Sequence, residues 1–295
     1  MKNVIYINSS GNITALINDK TKILDINKYA KRIISSSKAE QVAIKTKPKL
    51  GGDCRLDMLG GEFCGNAVRG YGYYYFINSC NSIEGILDVE ISGATKPLKV
   101  NVNTSKKTSY VSMPNISLRS ITKIVIEYNS TKLEMPLIKM PGIAHVLVDL
   151  ETIDNKISFA FTTDYKHSSI IKDIINSIIN NKKLDKFDAV GIMFLDGSKI
   201  YPYVEVKNPS TKVWESSCGS GTYSCFYYIL VQIVSNRLYE LSNDKMLFNG
   251  IYKKLDTGYY FEKTYIEPGG NITLKATINN NKIKEVLMGG EISIS

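Results

Sequence analysis

Histidine is nearly absent from this chain, with two in 295 residues, and tryptophan occurs once. His145 and His167 both stand far in sequence from any cysteine, and no Cys-x-x-Cys pair occurs, so the usual zinc ligand sets are missing and no metal site is expected. Cysteine is sparse too. Five is an odd count which, without an export signal, points to free thiols in a reducing compartment rather than a disulfide framework. The first eleven residues hold a four-residue apolar run, 4–7, too short for a signal-peptide core. The longest apolar run, 225–231, falls far short of the ~20 residues a membrane span needs. A soluble, cytoplasmic chain with no membrane partner is expected. The net charge is +9, yet its basic clusters are no longer than pairs such as Lys182 and Lys183, and no groove-reading motif accompanies them. That excludes the ordinary nucleic-acid-binding signatures and leaves a diffuse, weak attraction for carboxylates.

With 43% hydrophobic residues, the chain has enough apolar material for a substantial core and room for two domains. Alternating, β-branched or aromatic segments predict strands over 4–7, 14–17, 41–44, 87–91, 98–102, 110–113, 123–128, 145–150, 190–194, 201–206, 259–262, 271–276 and 291–294. Apolar recurrence at three and four predicts helices over 27–35, 64–77, 166–179 and 218–234. This is an α+β pattern, and 115–120 is the polar stretch best suited to link two halves.

The two halves repeat one feature. Cys64-Gly65-Asn66-Ala67 leads into a helix rich in tyrosine, and 154 residues later Cys218-Gly219-Ser220-Gly221 does the same. Each thiol follows a turn and falls at a helix start, where backbone N–H groups have no intrahelical partner and the helix dipole is positive. Gly65 and Gly219 allow close approach to those amides, while Asn66 and Ser220 add side-chain donors. Two such ends would cradle a carboxylate. Two equivalent thiols facing one substrate suit racemisation of a free amino acid without pyridoxal phosphate: a thiolate removes the α-proton from one face and a thiol returns a proton to the other. The carboxylate is then the electron sink, and the helix ends are expected to lower a thiol pKa. Cys54, Cys80 and Cys225 lack this context and read as small buried hydrophobes.

At these residues the chain resembles the diaminopimelate epimerase superfamily of cofactor-independent racemases, and most closely the histidine racemases of opine-metallophore pathways. The resemblance spans nearly the whole chain. Ser10-Gly11-Asn12 matches an N-terminal turn whose asparagine lies near the reacting amino acid, and Glu40-Gln41-Val42 matches an acidic-Gln-Val strand. Gly61-Glu62-Phe63-Cys64-Gly65-Asn66-Ala67 matches the first catalytic turn, and Trp214-Glu215-Ser216-Ser217-Cys218-Gly219-Ser220-Gly221 the second. His145 and Pro268-Gly269-Gly270 also fall at family positions. The resemblance implies two pseudo-symmetric domains, each a β-sheet or barrel wrapped around a central helix, with the active site in the interdomain cleft. On this reading 1–118 form the N-terminal domain, joined by the C-terminal strand 286–295, and 119–285 form the other. A homodimer is the expectation from base rate and resemblance.

Departures from the family pattern bear on the substrate. Diaminopimelate epimerases grip the distal end of their substrate with asparagines and a Glu-Arg pair. Here the corresponding positions are Arg55, Ile143, Gly191, Pro209 and Ser210, which disfavours a charged distal group. Glu-Phe before the first cysteine and Trp-Glu before the second instead resemble the histidine racemases. The expected activity is therefore interconversion of L- and D-histidine, with Cys64 and Cys218 catalytic. Gly65, Asn66, Gly219 and Ser220 would hold the carboxylate, and Asn12 and Gln41 would line the reacting end. Trp214 and Phe63 flank the turns. Trp214 either walls an imidazole pocket or belongs to the core; Glu62 and Glu215 either accept an imidazole N–H or cap turns. His145 either tunes a thiol or is a structural hydrogen bonder. No cofactor is called for, and the partner is a free amino acid. Epimerisation of diaminopimelate, racemisation of another amino acid, a thiol redox protein and a non-catalytic amino-acid-binding module are the competing readings.

Overall fold

The computed structural model describes residues 4–21, 23–207, 211–237, 250–280 and 282–295. Pro209 and Ser210, two of the substituted distal positions, lie outside the described residues. Two compact units divide the chain. The first comprises Met1–Pro114, Gly269–Ala276 and Glu285–Ser295; the second comprises Asn115–Pro268 and Thr277–Lys284.

In the first unit, seven strands pair in chain order: β1 (Val4–Ser9), β2 (Asn12–Ile17), β3 (Gln41–Thr46), β4 (Cys54–Met58), β5 (Glu84–Ile91), β6 (Leu98–Asn103) and β7 (Thr108–Ser112). The β2–β3 and β4–β5 pairs are parallel and the others antiparallel. The last strand of the chain, Lys282–Ile294, then pairs with both ends of this series, setting Leu287 opposite Ser112 and Ile294 opposite Ile7. The ladder closes into a barrel, which removes the exposed edges an open sheet would carry. Helix α1 (Ile26–Ser36) starts at Asp25, whose carboxylate accepts the Lys28 N–H at 3.0 Å. It buries Ala30 and Ile33 against Ala15, Ile17, Val42 and Ile44.

Helix α2 (Gly65–Ser79) fills the barrel, packing on β1, β4, β5, β6 and β7. Until its exposed last turn, 77–79, it has no polar face because it has no solvent face: Val68, Tyr71, Tyr73 and Phe76 are buried on different sides, and so is Arg69. Close packing depends on Gly70 and Gly72, where an added Cβ would stand 2.5 Å from Ser9 Oγ and 2.9 Å from Val100 Cγ1.

The second unit holds β8 (Ile121–Tyr128), β9 (Thr131–Met140), β10 (Ile143–Asp149), β11 (Ala189–Asp196), β12 (Lys199–Val206), β13 (Thr211–Trp214), β14 (Ile251–Leu255) and β15 (Gly258–Glu267). The ladder runs β8–β9–β10–β11–β12, parallel only at β10–β11. Strand β13 pairs with β12, setting Trp214 opposite Tyr203, and β14 pairs with β15. Helices α3 (Asn155–Asp164) and α4 (Ser169–Ile179) contribute to the main core of this unit. Ile171, Ile174, Ile175 and Ile178 form a three-and-four stripe, each burial contributing about 1.5–3 kcal/mol. Helix α5 (Gly219–Gln232) packs on β10 and β11.

Strand alternation sorts the side chains of this sheet. Ala144, Val146 and Val148 of β10, with Val190, Ile192 and Phe194 of β11, join the core under α3 and α4. His145 on β10 and Gly191 and Met193 on β11 meet α5 instead. The helix predicted over 166–179 begins at Ser169, where Ser168 caps it by accepting the Ile171 N–H, and α3 before it adds to the helices predicted. Strands β4, β9, β13 and β14 add to those predicted. Among the described residues no helix is long and apolar enough to cross a membrane.

Candidate active site

Both cysteine turns adopt the same local form. Cys64 (φ −136°, ψ 109°) is the N-cap of α2, and Cys218 (φ −125°, ψ 94°) is the N-cap of α5. The helices begin at Gly65 and Gly219, one residue later than the periodicity placed them, because each cysteine keeps extended backbone while its carbonyl accepts the first helical bonds.

Around Cys64 the groups are donors. Its Sγ accepts from the Ala67 N–H at 3.4 Å and from Gln41 Nε2 at 3.3 Å. Gln41 has two amide hydrogens and shares them also with Asn12 Oδ1 at 2.6 Å and Thr14 Oγ1 at 2.7 Å. Asn12 in turn donates to Glu40 at 2.8 Å. A polar chain thus runs from Glu40 through Asn12 and Gln41 to the thiol, joining the Ser10-Gly11-Asn12 and Glu40-Gln41-Val42 segments. Asn66 is buried, and its Oδ1 accepts from Arg69 Nε at 3.1 Å, which orients the amide so that its NH2 group faces the other way. Arg69 also donates to Ser10 Oγ at 2.8 Å and to the Gly290 carbonyl at 3.2 Å, tying the Cys64 turn to the N-terminal turn and the last strand. Phe63 is half-buried and Glu62 exposed, with the Glu62 carbonyl accepting from Ser92 Oγ at 3.0 Å.

Around Cys218 the groups differ. Its thiol makes no cap bond like that of Cys64, and the helix amide directed at it is the Gly221 N–H. Instead the buried carboxyl of Glu267 accepts the Cys218 N–H at 2.9 Å, and the Thr222 hydroxyl donates to its other oxygen. Glu215 accepts from the thiol itself. Ser220 Oγ lies 3.7 Å from Sγ and 3.3 Å from His145 Nε2, and Ser224 Oγ lies 3.0 Å from His145 Nδ1. Burial drives His145 down to about 3, so the ring is neutral and each nitrogen faces a hydroxyl.

The helix ends do not lower the thiols as the sequence suggested. Burial pushes Cys64 up, against the pull of the Ala67 and Gln41 donors. Cys218 rises well above the ordinary thiol range, first through burial and then through the charges of Glu215 and Glu267. Desolvation of a thiolate outweighs two or three hydrogen bonds to it.

Of the expected site residues, Asn12, Gln41, Asn66 and Gly65 gather at Cys64, and His145, Glu215, Gly219 and Ser220 at Cys218. Trp214 goes elsewhere. Its ring packs against Tyr165 (4.7 Å between centroids), Tyr203 (5.3 Å), Phe194 (5.6 Å) and Phe161 (6.2 Å), all within the α3–α4 core. Of its two readings, the packing favours the core over the imidazole wall. Glu267, Arg69, Thr14 and Ser224 are additional residues of the two turns; a buried Arg within an apolar helix was the one local signal available for any of them.

Fold and turns together define an α+β protein of the epimerase class. The chain resembles a solved structure described as a predicted epimerase of Pseudomonas aeruginosa, with a TM-score of 0.50 over 99% of this chain and 97% of that one; at 11% identity the likeness speaks to the fold alone. The family described as the histidine racemase CntK N-terminal domain matches residues 3–238, and this chain belongs to it. It is 32% identical to a histidine racemase of Fusobacterium nucleatum over 83% of this chain and 91% of that protein. A histidine racemase of Staphylococcus aureus is 25% identical over 74% of this chain and 76% of that protein.

Proposed function

We propose that this chain racemises free histidine without a cofactor, using Cys64 and Cys218 as a two-base pair. The observation that carries the reading is the recurrence of one device in both units: a cysteine at the N-cap of a helix largely buried in its unit. One thiolate takes the α-proton and becomes a thiol, while the opposite thiol gives its proton to the carbanion and becomes a thiolate. The net change is inversion at the α-carbon, with the two cysteines exchanged in state. The charge that develops on the carboxylate meets the first-turn amides of α2 and α5 together with Asn66 and Ser220. The reading requires both turns to serve one substrate.

Histidine is supported over diaminopimelate by what fills the distal positions. The Arg55 guanidinium is held by Asp57 at 2.6 Å and Glu90 at 3.2 Å, so it is committed to the fold. Gly191 has no side chain to offer and lies under His145. Neither offers an acceptor for a distal ammonium group. With Glu215 engaged at Cys218, the exposed carboxylate of Glu62 remains to accept an imidazole N–H.

Solvent deuterium uptake at Cα tests the function across all amino acids, without pyridoxal phosphate. L- and D-histidine should each exchange and racemise; exchange with another amino acid but not with histidine would overturn the substrate. Cys64→Ser and Cys218→Ser should each lower kcat/KM by at least about 10²–10⁴, the usual contribution of a positioned acid or base. Undiminished racemisation in either variant would overturn the two-base reading.

A further inference from the structure

The two turns are near copies in sequence but not in chemistry. In α2 the thiol sulfur takes the place of an N-cap oxygen, accepting the Ala67 N–H at 3.4 Å, and Gln41 adds a second N–H at 3.3 Å. Both contacts strengthen when the sulfur becomes negative. In α5 the equivalent donor to the sulfur is the Gly221 N–H, but an anion from another strand stands beside it. Glu267, at the end of β15, is 4% exposed and accepts the Cys218 N–H at 2.9 Å, with the Thr222 hydroxyl on its second oxygen. The Cys218 amide at the positive end of α5 is therefore taken by a carboxylate, which sets a fixed negative charge beside the sulfur.

The remaining groups around each sulfur point the same way. Glu215, following β13, accepts from the Cys218 thiol, a bond that exists only while the proton is present. From β10 comes His145, buried and neutral, whose Nε2 competes with the thiol for the single Ser220 hydroxyl hydrogen. Facing Cys64, the carboxylate of Glu62 is exposed to water, and Glu40 is separated from the sulfur by Asn12 and Gln41. The Arg69 guanidinium lies behind Asn66. A negative charge at Cys218 would meet the two carboxylates of Glu215 and Glu267 against the one N–H of Gly221; one at Cys64 would meet the N–H groups of Ala67, Gln41 and Asn66 against the exposed Glu62.

We propose that the cysteines ionise in a fixed order, Cys64 first and Cys218 last, and that Glu267 is the positioning residue that keeps Cys218 in its acid form. Of the two one-proton states the racemase alternates between, the one with thiolate on Cys64 and thiol on Cys218 predominates. This rests on the racemase reading for its catalytic meaning, though the order of ionisation is a property of the protein alone. Because racemisation has an equilibrium constant of one, kcat/KM is equal in the two directions whatever the order. The order appears instead in which residue sets each limb of the pH profile.

The test is alkylation of the intact protein by iodoacetamide across a pH series, with each cysteine followed by peptide mass spectrometry. The midpoint is read rather than the rate, so unequal access to the sulfurs does not enter. Cys64 should have a midpoint at least about one pH unit below Cys218, a roughly tenfold difference in thiolate ratio. Glu267→Gln should bring the Cys218 midpoint down while leaving that of Cys64 in place. Gln41→Met should raise the Cys64 midpoint alone. In the bell-shaped profile of kcat/KM, Glu267→Gln should move the alkaline limb to lower pH and Gln41→Met the acid limb to higher pH. Equal or inverted midpoints in the unsubstituted protein would overturn the proposal, as would a Cys218 midpoint indifferent to Glu267→Gln. The wild-type comparison decides the order even if a variant does not fold. A protein with ordered midpoints that exchanges no histidine α-proton would retain the order and lose the function, so the two failures are distinguishable.

Discussion

The residue that best separates motif from environment is Gly191. On a strand rich in Val, Ile, Met and Phe it reads as a defect, yet an added Cβ there would sit 2.6 Å from His145 Cδ2 and 2.9 Å from Met193 Cε. Gly191→Ala should therefore push the His145 ring off Ser220 and cost about 1–3 kcal/mol, the usual penalty for overpacking a full core. Urea denaturation should register that loss, and kcat/KM for histidine should fall with it; a variant with unchanged midpoint and activity would show that the strand yields freely. Single residues were legible where chemistry is local. Cys64, Cys218, Gly65 and Asn66 stand in a turn whose form is fixed by four consecutive residues. Glu267 was not legible, because it reaches its partner across 49 residues and nothing in the Glu267-Pro268 dipeptide announces which amide it will meet. Trp214 was ambiguous for a related reason: alternation on β13 decides its face, and a four-residue strand carries too little pattern to read.

At the scale of elements, the two cysteine-led helices, of 15 and 14 residues, share a starting turn but are capped by different atoms, and their stabilities should part accordingly. Cys64→Ala removes the acceptor for the Ala67 N–H and should cost about 0.5 kcal/mol, the low end for a lost cap, because sulfur is a weak acceptor. Cys218→Ala removes no cap from α5. Glu267→Ala leaves the buried Cys218 N–H without its carboxylate and should cost about 1–3 kcal/mol. The expected order of destabilisation, Glu267→Ala, then Cys64→Ala, then Cys218→Ala, is checked by denaturant midpoints at equal slope. Strong periodicity made α1, α4 and α5 legible, and β-branched runs did the same for most strands. Strand β4 was hidden because Arg55 and Asp57 alternate with its buried Cys54, Leu56 and Met58 within only five residues. Strand β9 carries Pro136, which argues against a strand until its pairing with β8 is known.

For the molecule as a whole, the α+β class and the repeat of a cysteine-led helix were readable from sequence. The closure of the first unit was implied only by resemblance: no local pattern in Lys282–Ile294 says that it will pair with both β1 and β7. A further long-range device in that unit is Glu90, on β5, which is fully buried. Burial alone would raise its pKa, but the N–H groups of Lys49, Leu50 and Gly52, at 2.7, 2.6 and 2.9 Å, together with Arg55 at 3.2 Å, hold it down to about 2. An unfolded glutamate titrates near about 4.3. Since the folded value is the lower one, the stabilisation from Glu90 is fully present above about pH 4.3 and is lost as pH falls through about 2. Unfolding should take up a proton across that window, so the free energy of unfolding should decline with falling pH there. Glu90→Gln, which cannot ionise, should be less stable at neutral pH and show a shallower decline between about pH 4.3 and 2, as followed by denaturant titration at each pH. If the slope over that window were the same in both proteins, the charge of Glu90 would not be what anchors the loop between β3 and β4 to the barrel wall.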